Sequence, residues 1–267
     1  MCTSARNCRE ITQDAKVWLA GRILYGGVCP HRCSYCYVAG AMRKGRAQWE
    51  ATPWYVRKDV IKWLERDAER LAGTDERVLL CFHCDPYTPE AANFGVTRQA
   101  LKVLRSHDVP FQVLTKGGMR AVPDFDLYGR HDAFATTMTF MDPNWSEVYE
   151  PGAAMPAERI RTIMEACRWG IETWVSLEPV LDPAESLRII RETHEFVDLY
   201  KIGKLNHDPE REAQIDWRAF GARAIELCEK YGKRYYIKED LAKHLDGIEF
   251  TQTDTRKVTR TPSNRRS

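Results

Sequence analysis

Three cysteines within eight residues, in Gly27-Val28-Cys29-Pro30-His31-Arg32-Cys33-Ser34-Tyr35-Cys36-Tyr37, constrain this chain more than any other feature. Their C-x3-C-x2-C spacing confines three thiolates to one short loop. Thiolates are the usual ligands of iron–sulfur clusters, and such a loop can wrap three corners of a cubane. Three local ligands leave one iron open, which is what a metal needs to bind and activate a small molecule. Zinc is the alternative. It takes four ligands, commonly as two separated pairs. Within this loop only Cys33 and Cys36 make such a pair, and His31 stands at an unusual spacing for recruitment.

The other cysteines fit a reduced protein. Nine in 267 residues is an odd number, and clustering of this kind favours metal or redox chemistry over a disulfide framework. Cys167 and Cys228 lie among apolar residues in helical patterns, so burial is expected for both. Cys2 and Cys8 belong to a short N-terminal arm, or to a second metal site. No apolar run approaches the ~20 residues of a membrane-spanning helix. The first eight residues lack the apolar stretch of a secretory signal, so the expected location is cytoplasmic. The net charge of +2 selects no partner. The last twelve residues, with Arg256, Lys257, Arg260, Arg265 and Arg266 and no acid, read as a solvated tail or a nucleic-acid contact.

Apolar runs and amphipathic stretches alternate along most of the length. Strands are predicted at 18–25, 78–84, 111–115, 133–140, 173–177, 199–202 and 234–237. Val56, Val60, Trp63, Leu64, Ala68 and Leu71 form one helical stripe, and Ile160, Ile163, Met164 and Cys167 another. Gly170 stands where the second helix would end. A third helix runs from Asp216 to Tyr231, closed by Gly232. This alternation predicts an α/β fold with a parallel sheet, and six or seven units suit a partial barrel better than a closed one. The expected organisation is an arm over 1–16, a barrel domain over 17–250 and a basic tail over 251–267. In such folds functional residues gather at the C-terminal ends of strands. Those ends carry the cysteine loop, His83-Cys84-Asp85, Lys116-Gly117-Gly118, Thr139, Ser176-Leu177-Glu178 and Lys204-Leu205-Asn206.

The cysteine loop resembles the cluster signature of the radical S-adenosylmethionine (SAM) superfamily. From Leu24 to Asn206 the chain resembles its spore photoproduct lyase-like branch, also described as DNA repair photolyase-like. The matching stretches are Tyr25-Gly26-Gly27 through Cys36-Tyr37-Val38, Asp85-Pro86-Tyr87-Thr88-Pro89-Glu90, Thr97-Arg98, Leu114 to Gly118, and Ser176-Leu177-Glu178-Pro179-Val180. The resemblance implies a partial (β/α)6 radical SAM barrel with a 4Fe-4S cluster on Cys29, Cys33 and Cys36. It implies that SAM binds the open iron and is cleaved reductively to a 5′-deoxyadenosyl radical. Tyr35 and Tyr37 would flank the cluster and adenosine, and Lys116 would face the SAM carboxylate. Asp85, Thr139, Ser176 and Glu178 would be candidates for the amino group and ribose. Where spore photoproduct lyase carries a cysteine hydrogen donor, this chain has Phe82, flanked by the candidate donors Cys81 and Cys84.

The resemblance therefore implies an enzyme acting on a nucleic acid or nucleotide, supplied by a one-electron reductant such as flavodoxin or ferredoxin. A small metabolite or a protein is the alternative substrate, and a non-catalytic metal-binding regulatory protein the alternative class. Lys204 and Asn206 are further candidates for substrate contact. Exposed-looking Trp49, Trp54 and Trp145 would suit base stacking.

Overall fold

Apolar runs three to six residues long, punctuated by amphipathic helices, build one parallel sheet above a small antiparallel ladder. The structure, a computed structural model, describes residues 24–80 and 83–253. The arm with Cys2 and Cys8, most of the first predicted strand, Cys81, Phe82 and the basic residues of the tail lie outside the described residues.

The described chain opens with β1 (Tyr25–Gly26), antiparallel to β2 (Tyr55–Val56). Tyr25, the last residue of the first predicted strand, therefore pairs in a ladder that the sequence did not suggest. Val56 belongs to β2 rather than to a helical stripe. Helix α1 (Val60–Leu71) buries Val60, Leu64, Ala68 and Leu71 at helical spacing. Trp63 departs from the expected stripe: it is exposed, with the Arg57 guanidinium 5.3 Å above its ring.

Six strands follow: β3 (Val78–Leu80), β4 (Phe111–Thr115), β5 (Ala133–Thr137), β6 (Glu172–Leu177), β7 (Leu199–Ile202) and β8 (Arg234–Ile237). All pair in parallel, in sequence order. The crossovers include α2 (Val96–Ser106), a 3-10 segment at Gly118–Leu127, α3 (Pro143–Tyr149), α4 (Pro156–Arg168), α5 (Pro183–Thr193) and α6 (Trp217–Lys230). Strand register sorts the residues by period two. Phe111, Val113, Phe134, Val175, Tyr200 and Ile202 share the buried outer face beneath the helices. Gln112, Ala133, Ala135, Trp174, Leu199 and Lys201 share the other face.

That second face is concave. Arg77, one residue before β3, and Arg234, the first residue of β8, each bond Glu172 at 2.7 Å. One carboxylate on β6 thus draws both edges of the sheet together, as a partial barrel requires. Lys201 on β7 likewise reaches Gln112 Oε1 on β4 at 3.5 Å.

Helix ends follow the residues expected of them. Asp216 caps α6 by accepting from Ala219 N at 2.9 Å, and Gly232 follows the helix with φ 64°. Gly170, after α4, has φ 72°. Cys228 is buried, but Cys167 is exposed, against expectation. The core face of α4 holds Pro156, Arg159, Thr162, Ile163 and Ala166. A buried arginine turns this helix away from the purely apolar stripe that placed Cys167 inside. Gln252 and Thr253, assigned to the tail by sequence, line β8 instead. The Gln252 amide exchanges hydrogen bonds of 2.8 and 2.7 Å with the Ile237 backbone, covering part of an open edge.

Candidate functional site

The cysteine loop leaves β1 through Gly27, whose φ of 76° suits glycine, and whose missing Cβ would stand 1.8 Å from the Pro53 carbonyl oxygen. Two turns shape the loop, from Arg32 N to Cys29 O at 3.0 Å and from Cys36 N to Cys33 O at 3.2 Å. Arg46 donates to the Cys33 and Ser34 carbonyls at 2.9 and 3.0 Å. The segment after α3 supports the loop from the barrel side. Ser34 N donates to Tyr149 O at 2.8 Å, and Gly152 N to His31 O at 3.0 Å. A Cβ on Gly152 would lie 2.1 Å from Pro30 O, so only glycine allows this approach.

Asp85 joins the loop to the sheet. Its Oδ1 accepts from Tyr87 N at 2.9 Å and Thr115 Oγ1 at 2.6 Å, and its Oδ2 from Lys116 N at 2.6 Å. His31 Nδ1 lies 3.5 Å from Oδ2. Burial lowers the His31 pKa to about 4 despite the Asp85 charge, so the ring is neutral at pH 7. The Asp85 carboxylate is thus committed to protein donors, and its backbone N–H points at Cys29 Sγ, 3.5 Å away.

A buried polar network that the sequence did not suggest lies below Tyr35. Glu150 pairs with Arg159 at 2.6 Å, both side chains fully buried. The same carboxylate accepts from Thr139 at 3.3 Å, from Ser146 at 3.2 Å, and from the Tyr35 hydroxyl in a short contact. Burial and the Glu150 charge push the Tyr35 phenol well up, so it remains a donor. Thr139, expected on a strand, sits just beyond the end of β5 and forms part of this network.

Lys116 Nζ stands 5.6 Å from the Tyr35 ring centroid. Burial opposes its charge, but Cys33, Glu150 and Asp85 outweigh that penalty and raise its pKa. Its ammonium makes none of the ion pairs found within 4 Å among the described residues. A charged lysine is therefore held beside the cysteine loop without a carboxylate against it.

The cysteines differ from one another. Burial pushes Cys33 up to about 11 and raises Cys36, whereas a hydrogen bond from Cys84 lowers Cys29 despite burial. Among the described residues no three His, Cys, Asp or Glu side chains gather tightly enough to hold a single metal ion. The donor set itself, three thiolates on one loop with backbone and thiol hydrogen bonds on Cys29, fits a cluster that takes each thiolate on a different iron. Tyr37 packs with Cys36 against Val28, Val38, Ala39 and Trp49, and Trp49 is buried there rather than exposed as its sequence context suggests.

Ser176 is buried on the concave face, beside Lys201 in register. Glu178 pairs with Lys238 in a short contact, and its Oε1 would lie 2.8 Å from a Cβ on Gly203. Lys204 is paired with Glu212 at 2.7 Å over the Trp217 ring. Asn206 is half-buried. Of the expected set, Tyr35, Asp85, Lys116 and Thr139 come together at the loop, whereas Glu178 and Lys204 are engaged elsewhere. The Glu150–Arg159 pair went unseen because neither residue falls in a motif. The Pro151-Gly152 step after Glu150 is the one local sign of a special turn.

No protein-family model matches the sequence, and no curated protein matches it. Solved structures do. A spore photoproduct lyase variant superposes with a TM-score of 0.62 at 11% identity, covering 80% of this chain and 74% of that one. Another, with bound S-adenosylmethionine and dinucleoside spore photoproduct, gives 0.61 at 12%, with 81% and 75% covered. SuiB of Streptococcus suis, bound to S-adenosylmethionine, gives 0.57 at 9%, covering 93% of this chain and 58% of its own. No helix among the described residues is long and apolar enough to cross a membrane. The likeness is one of fold: this chain has the partial barrel of the radical SAM enzymes, in the form seen in spore photoproduct lyase.

Proposed function

We propose that this chain is a radical SAM enzyme that carries a 4Fe-4S cluster on Cys29, Cys33 and Cys36. The observation that carries the reading is the place of the cysteine loop, at the C-terminal mouth of a parallel partial barrel and beside a charged lysine with no carboxylate against it. When bound, the cluster and SAM would supply reductive cleavage of a sulfonium bond and hydrogen-atom abstraction.

The chain's own residues bind and orient. Lys116 receives the SAM carboxylate in a charge-assisted hydrogen bond. The neutral Tyr35 ring, fixed from below by Glu150, and Tyr37 flank the cofactor. Ser176 on the concave face and Thr139 beside Tyr35 serve the amino and ribose groups. Asp85 and Glu178 are positioning residues in this reading, because their oxygens already hold protein donors. A flavodoxin or ferredoxin would deliver the electron. Cys84 faces Cys29, and Cys81 is the remaining candidate hydrogen donor.

The substrate we infer is a nucleic acid or nucleotide. Support comes from the dinucleoside spore photoproduct bound by structurally similar lyases and from the basic C-terminal segment. SuiB, whose structure is also known with a precursor peptide, makes a peptide the competing class.

Anaerobic protein with a verified four-iron cluster, given SAM and dithionite, is expected to form 5′-deoxyadenosine, and Cys33→Ala is expected to form none. No product from the fully loaded wild type would overturn the enzyme assignment and favour a non-catalytic metal-binding role.

A further inference from the structure

The end of the sheet that carries the cysteine loop also carries an aromatic stack that the proposed chemistry leaves unused. Phe140 and Tyr149 lie 5.3 Å apart, Trp145 and Tyr149 5.9 Å, and Phe140 and Trp145 6.4 Å with planes 25° apart. Phe140 is buried at the base, whereas Trp145 is 51% exposed and presents an open side to solvent. Trp145 and Tyr149 sit one turn apart on α3, so the helix itself sets their spacing. The N-cap Asp142 accepts from Asn144 N at 2.8 Å, and Glu185 accepts from Met141 N and Asp142 N, which fixes the start of α3.

One arginine borders this stack, and a second stands in the loop whose backbone is bonded to it. Arg211 lies 5.4 Å from the Tyr149 ring centroid and donates to its hydroxyl at 2.9 Å. Arg32 is exposed and sits in the cysteine loop between two backbone bonds, His31 O with Gly152 N and Ser34 N with Tyr149 O. The carboxylate of Glu147 falls on the other side of α3 from both rings.

We propose that Trp145, backed by Phe140 and Tyr149, is a stacking platform for an unpaired nucleobase, with Arg32 and Arg211 beside it for the neighbouring phosphates. The proposal rests on the nucleic-acid reading above and adds where the strand is held and in what state. A base must leave its duplex stack before chemistry can reach it, and a rigid exposed indole accepts the face of any base. The platform's backbone is bonded to the cluster-binding loop itself. A base held there stands at the mouth of the barrel rather than on a remote surface. A protein partner would take the same aromatic patch without needing the two cations, so charge favours nucleic acid.

The test uses cluster-loaded protein under anaerobic conditions and a short fluorescein-labelled oligothymidylate. Trp145→Ala is expected to weaken binding about tenfold, whereas Trp145→Phe, which keeps an aromatic face, stays near wild type. Trp169→Ala is the control. That indole is equally exposed, but it follows α4 at the opposite end of the sheet, and binding is expected to be unchanged. Arg32→Gln is expected to reduce the slope of log affinity against log salt by about one. Equal affinity of wild type and Trp145→Ala, or no binding by wild type, overturns the platform. Formation of 5′-deoxyadenosine in the same wild-type samples separates that failure from failure of the enzyme reading.

Discussion

Arg159 on α4 and Glu150, just after α3, meet at 2.6 Å with neither side chain exposed to solvent. Arg159 also donates to Ala154 O at 2.7 Å and Thr137 O at 3.1 Å, tying the end of β5 to the segment that supports the cysteine loop. Removing one member of a buried pair strands the other charge in a medium that cannot solvate it. Glu150→Gln is expected to cost about 3–5 kcal/mol in urea unfolding. A loss below 1 kcal/mol, on the order of a surface pair, would show that the network contributes little.

The same pair gives a pH dependence with a definite sign. Burial alone would raise the Glu150 carboxyl, but Arg159, Lys116 and the hydroxyl donors hold it below its ordinary 4.5. The folded pKa lies below the unfolded one, so the stabilisation is complete above the ordinary value and fades as pH falls below it. The stability gap between wild type and Glu150→Gln is therefore expected to narrow on acidification below pH 4.5. A gap that is constant or widens there would contradict this assignment.

Gly152→Ala tests the close approach to the cysteine loop. The added methyl would meet Pro30 O at 2.1 Å, a backbone atom that cannot swing aside. Iron retained per chain after reconstitution is expected to fall well below wild type. Gly40→Ala is the comparison, since nothing lies within 4 Å of its added Cβ in the helix over Val38–Ala41. That substitution is expected to stabilise by about 0.5–1 kcal/mol.

Lys116→Met separates ligand binding from folding. Its ammonium makes no ion pair within 4 Å, but Glu150 and Asp85 favour its charge, so urea stability is expected to fall, by less than the ~3–5 kcal/mol of Glu150→Gln. SAM affinity of the cluster-loaded protein is expected to drop at least tenfold, about 1.4 kcal/mol for one charge-assisted contact. Equilibrium dialysis with labelled SAM measures this, and unchanged affinity would remove Lys116 from the site.

The sheet was legible because its outer face is mostly apolar, with Thr115, Thr136 and Thr173 the polar exceptions. The apolar ranges 111–115, 199–202 and 234–237 coincide with β4, β7 and β8. The β1–β2 ladder was not, because two residues carry no period. It depends on contact instead, with Gly26 beneath the Tyr55 ring where a Cβ would lie 2.3 Å from Cζ. In the site, Cys29, Cys33, Cys36 and Lys116 announce themselves by spacing and by place at strand ends. Asp85 stands out by its position but not by its work, since only distances show that its lone pairs are already engaged. Arg159 was hidden by its chemistry. A charge in the middle of an amphipathic helix reads as solvent-facing until its partner, nine residues away, is seen beneath it.

Asp85 has one more consequence. Its carboxylate bonds the end of β4 and the turn leading into Tyr87, and its own N–H bonds Cys29, with the neutral His31 ring 3.5 Å away. The ligand loop therefore cannot lift away without unfastening the edge of the sheet at β3 and β4. Occupancy of the loop by the proposed cluster and closure of that edge would then be one equilibrium, in which a bound cluster holds the edge shut and a loosened edge sheds it. Amide exchange along β3 would then report on loading at a distance, slowing as the cysteines fill.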